Sequence, residues 1–302
     1  MLQDEIESYP NTFLRYTYPE SLGESRRVIT PLLEAVADEV VFVPNATTGI
    51  NTVLRNLVCE IGDVVVYFST IYGACAKTLQ PICEISHVGL EMFRVEIDYP
   101  TEDEDVIFKF SGTIEQLREN GRNIKVAIFD TIVALPSVTF PWEAMVKVCK
   151  DLGVLSLIDG AHGIGHIDLS HLGQLDQTFS RSRMAEVLHT EILENCSGSI
   201  NKSCFANVRL PLQIMQTSAE VCAESETGHF SIGSSDAPEI AKWIEETFIK
   251  RYDTMIITKY YSSRLWARIS GQIYLEMADL EWAAQRLKDL RSRVEEGHWK
   301  RV

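Results

Sequence analysis

The sequence predicts an α/β fold: a mostly parallel sheet covered by helices, followed by a smaller α+β unit. Three observations carry that expectation. Short apolar runs alternate with helix-length segments through the first two-thirds of the 302 residues. Those runs are continuously apolar rather than alternating, which is the pattern of strands buried on both faces. After about Gly173 the rhythm changes, and strands and helices of a second unit follow. The division is expected at residues 1–178 and 179–302, and a chain of this length buries one large core or two.

Glu39–Pro44 (EVVFVP) is expected as a strand and Ala46–Leu57 as a helix. Asp63–Ser69 is a strand, Tyr72–Cys83 a helix, Leu90–Ile97 a strand and Ile114–Glu119 a short helix. Thr101–Asp105 (TEDED) reads as a solvated loop. Ile124–Thr131 is a strand, and Pro141–Leu152 a helix whose proline sits in the first turn, where a missing N–H costs little. Val154–Ile158 closes the series. Right-handed crossovers bring every strand's carboxyl end to one edge of such a sheet. In the second unit Gln177–Arg183 has no strand of its own. Met184–Glu194 and Pro238–Lys250 read as helices, and Phe205–Leu210, Tyr252–Thr258 and Leu265–Ser270 as strands. Tyr274–Val294 is a long amphipathic helix.

Composition narrows the partners. A net charge of −15 and a pI near 4.9 disfavour nucleic acid and anionic membrane surfaces. The N-terminus, MLQDEIESYP, is not a signal peptide, and no apolar run reaches the ~20 residues of a bilayer span. Seven scattered cysteines without a C-x-x-C pair read as reduced thiols of a cytoplasmic protein.

Four groups of residues meet the expected edge. Asn45-Ala46-Thr47-Thr48-Gly49 lies between a strand and a helix, where free amides and the positive dipole end suit a phosphate; an N-cap without ligand is the plainer reading. Ser69-Thr70-Ile71-Tyr72 repeats that placement, with Tyr72 either stacking on a flat heteroaromatic ring or buried on a backbone partner. Asp159-Gly160-Ala161-His162-Gly163 follows the last strand; its acid can hold a ring nitrogen protonated, or simply cap a helix beside a satisfied histidine. Arg268, in the apolar strand LWARIS, needs a carboxylate from the protein or from a substrate, unless it faces solvent. The spacing of His162, His166 and His171, with Gly163 and Gly165 between, gives no helical i, i+4 pair on a firm scaffold, which argues against a metal. The glycines Gly160, Gly163 and Gly165 run in the wrong order for a dinucleotide fingerprint, and no G-x-S-x-G elbow is present.

Five stretches together resemble the class V aminotransferases: Val41–Leu57, Ser69–Leu79, Phe140–Gly173, Glu191–Leu212 and Arg264–Leu290. The resemblance is to the fungal branch similar to isopenicillin N epimerase and cysteine desulfurase. It implies fold type I, pyridoxal 5′-phosphate (PLP) as cofactor and a small amino-acid substrate. The implied chemistry is transamination, epimerisation or C–S or C–C bond cleavage, in fungal secondary metabolism. By the same resemblance Ala46, Thr47 and Thr48 hold the phosphate and Tyr72 covers the ring. Asp159 pairs with the pyridine nitrogen, His162 lies near the ring's phenolic oxygen, Arg268 binds the substrate carboxylate, and two copies pair as a homodimer.

The chain departs from the family where a further strand should carry the lysine that forms the Schiff base. The likeness runs through His171–Asp176 and then jumps, through Gln177–Arg183, to the second unit. Lys77 and Lys202 read as solvated, so no catalytic lysine is assigned and the cofactor is expected without covalent attachment. Ala134 and Leu135 stand where a polar residue often contacts the ring. The alternative expectation is a pseudoenzyme: a catalytically inactive remnant that serves as a binding or dimer partner. Losing an interior strand also leaves an apolar sheet edge exposed.

Overall fold

The computed structural model describes residues 2–33, 35–164, 166–167, 184–203, 205–215, 232–270, 275 and 277–301. Its centre is a four-stranded parallel sheet, β1 (Asp63–Phe68), β2 (Glu91–Val95), β3 (Asn123–Asp130) and β6 (Leu155–Asp159), in the order β2-β1-β3-β6. A small antiparallel pair, β4 (Ile132–Val133) with β5 (Val138–Thr139), lies between the last two in sequence. The apolar runs become these strands because both faces of the sheet are covered. On one face α4 (Ala46–Asn56) and α5 (Gly73–Glu84) bury Ile50, Leu54, Cys75 and Leu79 against Val65, Val126 and Ile128. On the other, α6 (Asp103–Glu119) and α7 (Trp142–Asp151) bury Phe110, Ile114, Met145 and Cys149 against Val64, Phe68, Ala127 and Phe129. Phe68, Phe129 and Phe140 interlock, with ring centroids 4.9 to 6.4 Å apart.

The second unit is a three-stranded antiparallel sheet of β7 (Phe205–Arg209), β10 (Ile257–Tyr261) and β11 (Arg264–Ser270), ordered β10-β11-β7, with a short parallel pair of β8 (Ile214–Met215) and β9 (Ile232–Gly233) between β7 and β10 in sequence. It packs on α8 (Ala237–Tyr252) and α9 (Met277–Glu295) through Ile240, Ile244, Phe248, Leu265, Ala284 and Leu287. The expected boundary at 178/179 and the polar stretch Gln177–Arg183 lie outside the described residues. The two units dock directly. Trp266 of β11 belongs to the core under α6, and the Tyr99 backbone N–H donates to the Tyr261 hydroxyl at 2.5 Å.

Several expectations are corrected. Glu39–Pro44 forms no strand: a 3-10 turn ends at Glu39, and Val41, Phe42 and Val43 are exposed, with no strand paired to them among the described residues. The acidic run 101–105 is no free loop. Asp103, Glu104 and Asp105 make the first turn of α6, where carboxylates meet the positive helix end. Glu102 and Asp103 also accept hydrogen bonds from the Cys196 amide and the Ser199 hydroxyl, both at 2.8 Å, so the helix begins eleven residues before Ile114. In 184–194 only 184–188 is helical, and the chain then turns through His189 at a left-handed φ of 55°. The strand expected over Tyr252–Thr258 starts at Ile257, because α8 runs on to Tyr252 and closes on Asp253 in the left-handed region. Residues 2–33, which the sequence reading left unassigned, form short helices and the helix α3 (Tyr18–Leu33), in which only Phe13 is buried among the described side chains.

Candidate functional site

The carboxyl edge of the parallel sheet carries the candidate site. At β6 the chain ends on Asp159, whose side chain is 5% exposed. One carboxylate oxygen accepts the Ala161 amide at 3.0 Å and the other accepts the Cys75 thiol at 3.4 Å. The turn that follows is tight: a Cβ on Gly163 would stand 3.0 Å from the Gly160 carbonyl oxygen, closer than a side chain fits without a shift of the backbone. That fold-back delivers His162 toward the second unit. Its ring meets Phe205 edge-on at 5.4 Å, and His166 stacks on the same phenylalanine at 4.8 Å. Burial, with His162 nearby, holds His166 below the usual imidazole range.

Phe205 also receives Arg268, whose guanidinium lies over the ring at 5.2 Å. The register of β7 and β11 sets Arg268 opposite Asn207, which anchors the Ser137 carbonyl at 3.3 Å. Arg268 itself reaches the Ser137 hydroxyl at 3.5 Å, the long limit of a hydrogen bond. Among the described residues no carboxylate lies within ion-pair distance of it, so the structural ion pair left open by the sequence is not formed. Burial lowers its affinity for the proton, with Glu245 acting in the opposite sense. A half-buried guanidinium without a carboxylate is a site for an anion.

Asn45 caps α4 as the plainer reading held. Its Oδ1 accepts both the Thr48 amide, at 2.8 Å, and the Thr48 hydroxyl, at 3.1 Å. That commits Thr48 to the cap and leaves the amides of Ala46 and Thr47 at the helix start without an intrahelical partner. Helix α4 packs against α5 and β6. Tyr72 sits as the residue before α5 with half its surface exposed, and is not the buried tyrosine considered as the alternative. Lys77 and Lys202 are exposed, as expected. His171 and Gly165 lie outside the described residues.

Two site residues escaped the sequence reading. Phe205 gathers His162, His166 and Arg268, but a phenylalanine opening a strand carries no signal of that. Asp130 ends β3 directly opposite Asp159 and is as deeply buried. Its signal was present: the run IKVAIFD is apolar and closes on an acid at the same edge, as VLSLID does. Burial first, and the Asp159 charge second, push Asp130 up to about 8, while the Tyr72 backbone N–H donating to it acts in the opposite direction. The Cys75 thiol is pushed up to about 12 by burial and by Asp159, which makes it an inert hydrogen-bond donor rather than a nucleophile.

The donor set fits PLP in every part but one. A buried carboxylate suits a pyridinium nitrogen, two orphan amides at a helix start suit a phosphate, a half-exposed tyrosine ring suits a flat heterocycle, and Arg268 suits a carboxylate. What is missing is an amine: no lysine of the described residues lies at this edge among the groups that contact Asp159, His162 or Arg268. Leu135, in the loop before Ser137, is exposed and offers the ring no polar contact.

Comparison with known proteins agrees with the fold and with where the likeness stops. The class-V aminotransferase profile matches residues 17–175, ending one residue before Asp176. An L-cysteine desulfhydrase-like protein of Epichloe uncinata is 24% identical over 396 residues, covering 94% of this chain and 86% of its own. A 396-position alignment against 302 residues leaves more than ninety positions of that relative without a counterpart here. Hercynylcysteine sulfoxide lyase of Schizosaccharomyces pombe is 30% identical over 178 residues, 59% of this chain and 43% of the relative. Among solved structures, the cystine C–S lyase C-DES in complex with cysteine persulfide superposes with a TM-score of 0.64 at 12% identity. The match covers 95% of this chain and 92% of the other, which shows the fold. Among the described residues no helix is long and apolar enough to cross a membrane, and no group of histidines, cysteines and acids forms a metal site. With the profile matching more than half of its length, this chain belongs to the class-V aminotransferase family.

Proposed function

We propose that this chain binds pyridoxal 5′-phosphate without a covalent bond, together with a small amino acid, and descends from enzymes that cleave C–S bonds. The observation that supports the proposal is the buried Asp159 at the carboxyl end of β6, its oxygens held by the Ala161 amide and the Cys75 thiol. When bound, the cofactor supplies an electron-withdrawing ring conjugated with the amino acid's α-carbon. The chain's own residues do the rest. Asp159 holds a proton on the ring nitrogen. Ala46, Thr47 and the Thr48 end of α4 bind the phosphate, and Tyr72 covers one ring face. His162 lies at the ring oxygen, and Arg268 orients the substrate carboxylate. Phe205 backs both groups and keeps water from the guanidinium. The names of the relatives, desulfhydrase and sulfoxide lyase, favour a sulfur-bearing amino acid over the transamination or epimerisation that the family fold also serves.

A second reading has its own observation: neither Lys77 nor Lys202 is placed to form an imine or to move the α-proton. On that reading the chain is a non-catalytic binding protein. A second copy of the chain is the partner we propose, supported by the exposed Tyr9, Leu14, Tyr16 and Val28 on the N-terminal helices. A reducing cytoplasm suits Cys75, whose thiol serves as a donor to Asp159. One experiment separates the readings. The purified chain is mixed with PLP and L-cysteine, borohydride is added, and labelled lysines are mapped while sulfide and pyruvate are assayed. Saturable PLP binding without a labelled lysine or product supports the binding protein. Turnover without a labelled lysine establishes an enzyme that holds PLP non-covalently, a labelled lysine overturns the non-covalent reading, and no PLP binding sinks both.

A further inference from the structure

Asp130 is the deeply buried group that the roles above leave unused. Strands β3 and β6 pair in parallel with Asp130 directly opposite Asp159, so both carboxyls project to the same side of neighbouring strands ~4.8 Å apart. Each is 5% exposed. The Asp130 carboxyl accepts the backbone N–H of Tyr72, the half-exposed residue that precedes α5. The ionisable groups that face it are Asp159 from β6, the Cys75 thiol from α5 and the Tyr99 hydroxyl from the segment after β2, and all of them are acids. Two buried carboxylates this close do not both ionise at low cost, and one keeps its proton.

Resting on the PLP reading, we propose that Asp130 holds a proton beside Asp159 in the ligand-free pocket and releases it when a protonated ring nitrogen docks on Asp159, while its carboxyl keeps Tyr72 over the ring. The charges balance. Before binding, one carboxylate, one neutral acid and the incoming pyridinium sum to zero charge. After binding, two carboxylates and one pyridinium carry a single negative charge, and the proton released to solvent carries the matching positive charge. Asp130 is thus a positioning residue that couples ligand uptake to proton release. Burial and the Asp159 charge, which push it up to about 8, keep it protonated at neutral pH in the empty site.

The test uses the whole chain and pyridoxine 5′-phosphate, which lacks the aldehyde and so is blind to lysine chemistry. Titration calorimetry at pH 7, in two buffers of different ionisation enthalpy, counts protons released by wild type, Asp130→Asn and Asp130→Ala. Wild type should release close to one proton more than either variant. Asp130→Asn, which keeps an acceptor for the Tyr72 amide, should bind more tightly than Asp130→Ala. In parallel, denaturation of the ligand-free proteins is followed from pH 5 to 9. Both variants should gain stability relative to wild type as pH rises toward 8, and the gain should level off above it. Equal proton release with parallel stability profiles would overturn the proposal. If pyridoxine phosphate binds none of the three, the PLP reading fails, and the denaturation profiles still decide whether Asp130 keeps the proton.

Discussion

Asp159→Asn should make the protein more stable and its site useless. In the wild-type fold Asp130 keeps its proton to about 8, whereas in the unfolded chain it loses it near 3.8. A group whose pKa is raised by folding stabilises the fold only below its unfolded value, and the stability it contributes is lost as pH rises toward its folded value. The Asp159 charge supplies part of that shift. Two unit charges ~5 Å apart at an effective dielectric of ~20 repel by about 3 kcal/mol, and relaxation around two strand ends reduces this to about 2 kcal/mol. Neutralising Asp159 removes that repulsion and leaves the burial contribution in place. The introduced asparagine would retain an oxygen for the Ala161 amide and a polar group toward the Cys75 sulfur. The expected gain is therefore near zero at pH 5, where Asp130 is protonated in both folded proteins, and about 2 kcal/mol at pH 8. Urea denaturation at the two pH values measures it directly. Pyridoxine 5′-phosphate affinity, measured in the same buffers, should fall at least tenfold, because the protonated ring nitrogen loses its counter-charge. A variant no more stable than wild type at pH 8, or one that binds the probe as tightly, would refute the reasoning.

Three further outcomes follow from the site's construction. Asn45→Ala removes both bonds to Thr48 and should cost about 1 kcal/mol in chemical denaturation; phosphate-dependent binding should weaken too, because the freed Thr48 groups no longer fix the first turn of α4. Gly163→Ala forces a methyl to 3.0 Å from a backbone oxygen and 3.4 Å from the Ile167 side chain. It should lower stability by about 1–3 kcal/mol, with the His162–Phe205 contact disturbed in the aromatic NMR signals of both rings. Leu155→Lys places a charge on the exposed start of β6, where the leucine side chain contributes little, so stability should change by less than ~0.5 kcal/mol while light scattering reports less self-association.

How much of this was legible depended on where the causes lie in the chain. The sheet strands were readable because continuous apolar runs such as DVVVYF and IKVAIFD have only one way to be covered on both faces. Asp159 was readable because an acid closing such a run has few other reasons to be there. Val41–Val43 misled for the opposite reason: strand propensity has no effect without a neighbouring strand, and none is paired to them among the described residues. The acidic run 102–105 misled because its partners, Cys196 and Ser199, are ninety residues away. Phe205 was invisible since its role is to be a shared wall for three side chains from two units. Asp130 was overlooked although it carries the same signature as Asp159. The parallel register sets the last residues of adjacent strands that end level side by side, here Asp130 and Asp159.

One structural loss accounts for several features that otherwise look unrelated. The family profile stops at residue 175, and the alignment with the Epichloe relative leaves more than ninety positions unmatched. Among the described residues β6 pairs only with β3, and its first two residues are exposed although the strand reads as a buried one. A strand added beside β6 would cover Leu155 and Ser156. Its carboxyl end would fall on the edge next to Asp159, where the family places its lysine. On the expectation that one strand of the family is lost, the exposed leucine and the lack of a lysine at this edge among the described residues would share one cause. The groups we propose for phosphate, ring nitrogen and carboxylate come from α4, β6 and β11, outside that gap. A protein that lost the strand would therefore lose covalent chemistry before it lost recognition, and it would lose solubility along with the chemistry. That coupling makes the Leu155 edge and the absent lysine testable together. A transplanted strand bearing a lysine should reduce self-association and restore a borohydride-trapped adduct at once, whereas restoring one without the other would separate the two causes.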